Sequence, residues 1–385
     1  MRRVWGALIV LGLAQAFLNH VGFSPAYSLG PIVDVVALLL VIYCIRRLLL
    51  RVYPPSIRGG SELLNSAVAG GIGPVVSKGS LRSVAVGAVR STYAENTSAD
   101  ILAMGPPESL GADSVLEAAS ITKGITGLLL AELVKSGTVA LDDPVSKYLP
   151  LPDLANVTLE HLATHRSGQP KIPRSMALAG LVGSAQPYEN WTTERLLRSV
   201  RPSVPTEQPH YSNLGFALLG QALAAACDTQ YEELARDRIL NPIGMQASGF
   251  NSPTSLSGRD LFGLPTPSWS MAAFTPAGGL KTSISDLTKL VASMLAAPAG
   301  PLGGAWALAT SSRAVFSAAQ RIGLGWLINS VGTIWHNGGT YGSYAWVGAN
   351  PQSGTGLALL APSSCIGSRR YDVASLATMG IWTGE

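Results

Sequence analysis

The stretch Ser120–Ser136, SITKGITGLLLAELVKS, is apolar along most of its length and stops at Gly137. That pattern predicts a buried helix closed by a glycine. Ser120 and Lys123 form S-x-x-K at its start, and a spacing of three puts both side chains on one helix face. The electropositive N-terminus of a helix favours an oxyanion forming beside it. Of the seven lysines, only Lys123 has a serine three residues earlier. The bland alternative makes Ser120 a plain N-cap and Lys123 a solvated side chain. Yet a lysine in a first helical turn opposes the dipole, and its neighbours Ile121, Ile125 and Leu128 are apolar. Burial would lower its proton affinity and let it act as a base.

Two further clusters stand downstream. Tyr211-Ser-Asn213 lies in PHYSNLGFALLGQAL, a proline-bounded loop running into an apolar helix. A phenol near a cation can move a proton, and an asparagine supplies an uncharged carbonyl and amide. The same Y-x-N spacing recurs at Tyr188-Glu-Asn190, but in a polar loop, so Tyr211 is preferred. His336-Asn-Gly338-Gly339 sits in TIWHNGGTYGSYAWV, where paired glycines permit close backbone approach; a hairpin turn at Asn-Gly is the alternative. No H-E-x-x-H or C-x-x-C is present, so no metal site or cofactor is expected. His161 and His165 are expected to hydrogen-bond a loop. Cys227 and Cys365 read as buried thiols, a bridge between them being the alternative.

Around these clusters, 81–90 and 101–105 look like a β-hairpin. Residues 141–280 alternate helical stretches with proline-rich loops. A helix is expected over Ile284–Ala296, strands over 323–329, 341–349 and 356–360, and a last helix over 371–382. The fold class predicted is α/β (α+β): an antiparallel sheet formed by both chain ends, flanked by helices, with an all-helical lobe inserted at about 141–280. Residues 51–79, rich in Gly, Pro and Ser, read as a linker before a domain over 80–385.

The chain has 385 residues, 47% hydrophobic and 13% charged, which excludes a disordered regulator. Its net charge of +4 is local: Arg2, Arg3, Arg46, Arg47, Arg51 and Arg58 against Asp34 leave the remainder near neutral. No basic stripe marks the folded part, so no nucleic-acid partner is expected. Val4–Leu18 and Ile32–Ile45 are apolar runs of about 15 residues each, short of the ~20 that span a bilayer but extended by flanking residues and arginines. They predict a membrane anchor over 1–50, of one or two spans; the first also fits a signal peptide. The charge pattern favours a cytoplasmic domain if both span, and an external one if only the first does.

The three clusters, in this order, resemble the serine β-lactamase and penicillin-binding-protein superfamily, most closely its class C β-lactamase-like hydrolases, which include esterases and D-amino-acid peptidases. GTVALDDPVSKYLP (137–150), LEHLATHRSGQP (159–170), YSNLGFALLG (211–220), NPIGM (241–245) and PAGGLKTSISDL (276–287) extend the resemblance over roughly 80–385. It implies Ser120 as the acylated nucleophile, with Lys123 and Tyr211 sharing the base and acid roles in an order left open. It implies Asn213 holding Lys123 and the substrate amide, and His336-Asn-Gly338 on the strand edging the site. The N–H groups of Ser120 and Gly339 would form the oxyanion hole. The family's habit is an extracytoplasmic domain. His336 stands where many relatives carry lysine, and no E-x-x-L-N block is present. Both departures imply an esterase or peptidase rather than a resistance enzyme, still open to slow acylation by a penicillin.

The expected activity is a membrane-anchored serine hydrolase cleaving an amide or ester in a small-molecule or peptide substrate. The alternatives are an acyltransferase, transpeptidase or cyclase using the same acyl-enzyme, and a silent binding protein that keeps the fold.

Overall fold

The computed structural model describes residues 56–77, 83–91, 97–105, 110–181, 186–260, 263–296, 300, 302–365 and 369–383. The expected anchor runs, Val4–Leu18 and Ile32–Ile45, lie outside the described residues. Among the described residues no helix is long and apolar enough to cross a membrane.

The strands in chain order are β1 (Ser56–Gly59), β2 (Val84–Ser91), β3 (Thr97–Gly105), β4 (Leu116–Ala119), β5 (Gly258–Arg259), β6 (Pro265–Thr266) and β7 (Leu280–Thr282). They continue as β8 (Ala314–Ser317), β9 (Gln320–Ile322), β10 (Leu327–Asn329), β11 (Ile334–Gly339), β12 (Tyr344–Asn350) and β13 (Thr355–Ala361). Nine of them build one antiparallel sheet in the order β1-β3-β2-β13-β12-β11-β10-β9-β8. The β2–β13 pairing, with Ala88 opposite Leu357, joins the two ends of the chain as expected.

Both faces of this sheet are covered, which explains why its central strands alternate only weakly in polarity. Val84, Val86, Trp346, Leu357 and Leu359 face one apolar cluster, together with Tyr371 and Trp382 of the C-terminal helix Arg369–Thr383. Their neighbours Ala85, Val89, Ala345, Val347, Ala358 and Leu360 face the other, against the helix Ile284–Ala296. That second cluster runs on through the helix Ile121–Lys135 into the lobe, where Leu214, Phe216 and Leu218 belong to the helix Asn213–Ala226. The helix Ile121–Lys135 is therefore enclosed by sheet on one side and lobe on the other.

Two expectations need correction. Most of the stretch read as a linker is part of the fold: 56–77 form β1, paired to β3, and the helices Glu62–Gly70 and Gly73–Ser77. Ser61 caps the first of these by accepting from the Leu64 N–H, and Leu64, Val68, Ile72 and Val76 bury against the sheet at a spacing of four. Intervening glycines hid that period. The lobe is not purely helical, because β5 and β6 form a small hairpin within it. Asn337-Gly338 lies within β11 and not at the hairpin turn that was its alternative, the reversal being made by the Thr340–Ser343 backbone bond. Cys227 and Cys365 are free thiols.

Candidate active site

β4 delivers the chain to Ser120. It pairs with β7 through a register shift between Glu117 and Ala119, and Ala119 takes φ 46°. A non-glycine residue in the left-handed region costs about 1–2 kcal/mol, so the surrounding packing must hold this turn in place. Its result is that Ser120 begins the helix without capping it: the hydroxyl makes no bond to the first-turn amides. Ser120 Oγ instead lies 3.0 Å from Lys123 Nζ and 2.9 Å from Tyr211 Oη.

Lys123 is fully buried, a rare state for lysine. Besides Ser120 its amine reaches only the Ala277 carbonyl, 2.6 Å away, among the described residues; its Nζ stands 4.8 Å from the centre of the Tyr211 ring. No carboxylate among the described residues pairs with it. Burial, and then the charge of Lys171, hold its amine well below the ordinary lysine range. Tyr211 moves the opposite way: burial outweighs the Ser120 hydrogen bond and raises the phenol well above its usual range. The amine therefore binds a proton less readily than an ordinary lysine, and the phenol gives one up less readily than an ordinary tyrosine.

The loop carrying Tyr211 is held by His165. The Ser212 N–H donates to His165 Nδ1 at 3.1 Å, the His210 N–H donates to the His165 carbonyl at 2.7 Å, and the imidazole sits 4.6 Å from the Tyr211 ring. Burial keeps this histidine neutral by lowering its proton affinity far below normal, with Lys123 adding to the effect. His161 closes a capping box with Thr158. Both histidines thus hydrogen-bond loop backbone, as their sequence context suggested.

Asn213 does not hold Lys123. Its Nδ2 donates to the Tyr188 hydroxyl at 3.0 Å, and its Oδ1 is buried without a partner among the described residues. An orphaned acceptor of this kind is costly unless something fills it. Tyr188, set aside in the sequence because its loop is polar, is buried against Phe274 and Trp269 and lines the same cavity. The aromatic residues Trp191, Trp269 and Phe274 were the available signal, but their spacing in sequence is irregular.

On the opposite wall, β11 passes directly behind the Ala118–Ser120 turn. A side chain at Gly338 would place its Cβ 1.9 Å from the Ala118 carbonyl oxygen and 2.9 Å from the Ser120 nitrogen. One at Gly339 would meet Cys365 Cβ at 2.2 Å. The glycine pair thus lets the strand lie against the backbone of the serine. Asn337 and Tyr344 both donate to Asp372, at 2.8 and 2.7 Å, and tie the strand to the C-terminal helix. His336 is brought near but not into the cavity. Its ring is buried, and burial followed by the charge of Lys123 pushes it down to about 3, so it carries no positive charge at neutral pH.

The cavity has a volume of about 340 Å³, and its walls include Ser120, Tyr211, Asn213, Gly338 and Gly339. Lys171, Trp269 and Cys365 also line it, and sequence reasoning missed all three. Among the described residues no group of three or more His, Cys, Asp or Glu could hold a metal ion. An alcohol flanked by a weakly basic amine and a proton-bearing phenol is equipped to attack a carbonyl.

The family model described as "Beta-lactamase" matches residues 76–365. Beta-lactamase-like protein 2 of Dictyostelium discoideum is 38% identical over 154 residues, which is 38% of this chain and 27% of that protein. The D-alanyl-D-alanine-carboxypeptidase/endopeptidase AmpH of Escherichia coli K12 is 37% identical over 145 residues, covering 35% of this chain and 36% of the relative. The chain thus spans about a third of the length of these relatives. The crystal structure of the D-alanine carboxypeptidase AmpC from Burkholderia cenocepacia superposes with a TM-score of 0.67 at 22% identity, over 82% of this chain and 98% of that one, a likeness of fold. With a match running from the first buried helices to the cysteine beside Gly339, this chain belongs to the beta-lactamase family.

Proposed function

We propose that this protein is a serine hydrolase that opens an amide or ester bond through an acyl-Ser120 intermediate. The observation that carries the reading is the placement of one hydroxyl at 3.0 Å from a buried amine that no described carboxylate neutralises and 2.9 Å from a buried phenol. Lys123 takes the proton from Ser120 Oγ as the oxygen attacks the substrate carbonyl, since its lowered proton affinity leaves a lone pair available nearer neutral pH. The Ser120 and Gly339 N–H groups receive the charge that develops on the carbonyl oxygen; loss of one oxyanion-hole donor costs about 3–4 kcal/mol where one has been removed. Tyr211, protonated in the resting site, passes its proton to the leaving amine or alcohol and takes back from Lys123 the one that Ser120 gave up. Water then repeats the attack on the acyl-serine. Asn213 Oδ1 accepts from a substrate amide N–H, which would fill its vacant acceptor position. His336, neutral and off the cavity, acts behind Lys123 rather than on the substrate. The apolar runs at 4–18 and 32–45 tether the domain to a membrane, a tether that removal of residues 1–55 would release into the soluble fraction.

Incubation with a fluorophosphonate or a penicillin, followed by intact-mass measurement, is the direct test. One adduct per chain is expected, mapping to Ser120 and absent from Ser120→Ala. Folded protein that takes up no label from either reagent would sink the proposal.

A further inference from the structure

Among the described residues, the cavity beside Ser120 carries a single charged side chain on its walls: Lys171 is the one ionic group there, and no described carboxylate lines the space. Its ammonium forms no ion pair or hydrogen bond among the described residues, whereas the side chain is exposed to solvent. Its backbone, by contrast, is fixed. The Lys171 carbonyl accepts from the Asn213 N–H at 2.9 Å and the Leu214 N–H at 3.3 Å, so the residue is fastened to the first turn of the helix that carries Asn213. The preceding Pro170 carbonyl is bound in turn by Ser212 Oγ at 2.7 Å. A flexible cation on a rigid base thus overlooks the cavity. Its field reaches both walls, being felt at Lys123 and at Cys365, whose Cβ crowds Gly339. The neighbouring residue that could have supplied a cation, His336, is neutral and buried.

We propose that Lys171 is the specificity-determining cation of this site, selecting substrates that carry a carboxylate close to the bond being cleaved. This rests on the acyl-serine reading above and adds the substrate class. An uncharged cavity with one unpaired ammonium favours an anion over its neutral isostere, through a charge-assisted contact that strengthens as substrate displaces water.

Matched esters test it. In one pair the leaving group carries the charge (4-acetoxybenzoate against 4-acetoxybenzamide); in the other the acyl group does (mono-4-nitrophenyl succinate against 4-nitrophenyl butyrate). The readout is the ratio of kcat/KM, anionic over neutral, so intrinsic ester reactivity cancels between wild type and variant. In at least one pair Lys171→Gln should lower that ratio about fivefold, Lys171→Glu should lower it further, and Lys171→Arg should preserve it. Salt near 1 M should shrink the wild-type preference toward that of Lys171→Gln. Ratios unchanged in both pairs by Lys171→Gln and Lys171→Glu would overturn the assignment, even with turnover intact. Calorimetric binding of 4-hydroxybenzoate against 4-hydroxybenzamide to Ser120→Ala reads the cation without chemistry. A preference there that is lost in the Ser120→Ala, Lys171→Gln double variant supports the assignment even if no ester is turned over, and equal binding of the two compounds refutes it.

Discussion

Replacing Gly338 by alanine tests the strand-to-nucleophile contact most sharply. The added methyl would sit 1.9 Å from the Ala118 carbonyl oxygen, where an ordinary carbon–oxygen contact needs about 3.3 Å. The obstacle is backbone on a buried strand, so β11 itself must retreat by roughly 1.4 Å along that line. The amide of Gly339 would move with it, out of the 2.7–3.1 Å range in which a donor supports an oxyanion. Loss of one such donor costs about 10²–10³ in kcat, and a misplacement of 1 Å alone can cost about 10². The expected result is therefore a fall of at least about 10² in 4-nitrophenyl butyrate turnover and in the rate of fluorophosphonate labelling. Overpacking should also lower stability by about 1–3 kcal/mol, visible as a lower midpoint in urea. Gly380→Ala is the control. It lies in the C-terminal helix with nothing within 4 Å of the new Cβ, so about 0.5–1 kcal/mol of helix stabilisation and unchanged turnover are expected. Near-normal labelling and stability in Gly338→Ala would show that β11 does not lie against the serine turn, and the proposed oxyanion hole would fall with it.

Two more outcomes follow from the same geometry. Because burial lowers the amine of Lys123 in the folded state, the unfolded chain holds that proton more tightly between the folded value and the ordinary value of 10.5. This group's contribution to stability is therefore fully present above the unfolded value and is lost as pH falls through that window. Lys123→Met, which cannot titrate, should flatten that slope in thermal midpoints measured across alkaline pH, while abolishing acylation; parallel slopes for the two proteins would contradict a depressed amine. Tyr211→Phe removes the proton donor and leaves the ring over Lys123, so kcat should drop about 10²–10⁴ while the protein loses only about 1 kcal/mol of stability, and a turnover within threefold of wild type would remove Tyr211 from the chemistry.

The chain's own order of residues determined a good deal. Apolar stretches of helical length made the 121–135 and 284–296 helices legible, a β-branched run announced β2, and short apolar runs announced β12 and β13, because these elements bury apolar faces that the local sequence reports. Local spacing also put Ser120 and Lys123 on one helix face. What spacing could not report was anything made between distant segments. The fold of 56–77 was concealed by glycines, since its apolar residues make sense only against a sheet face assembled from the other end of the chain. Tyr188 looked like a loop residue until Phe274 and Trp269 enclosed it. Lys171 reaches the cavity on a loop that backbone bonds fasten to the helix 213–226, and His336 is buried on its strand, off the cavity walls. A sequence states which groups are available and which share an element. Burial, charge balance and proton affinity depend on neighbours up to two hundred residues away, and only the folded chain sets those.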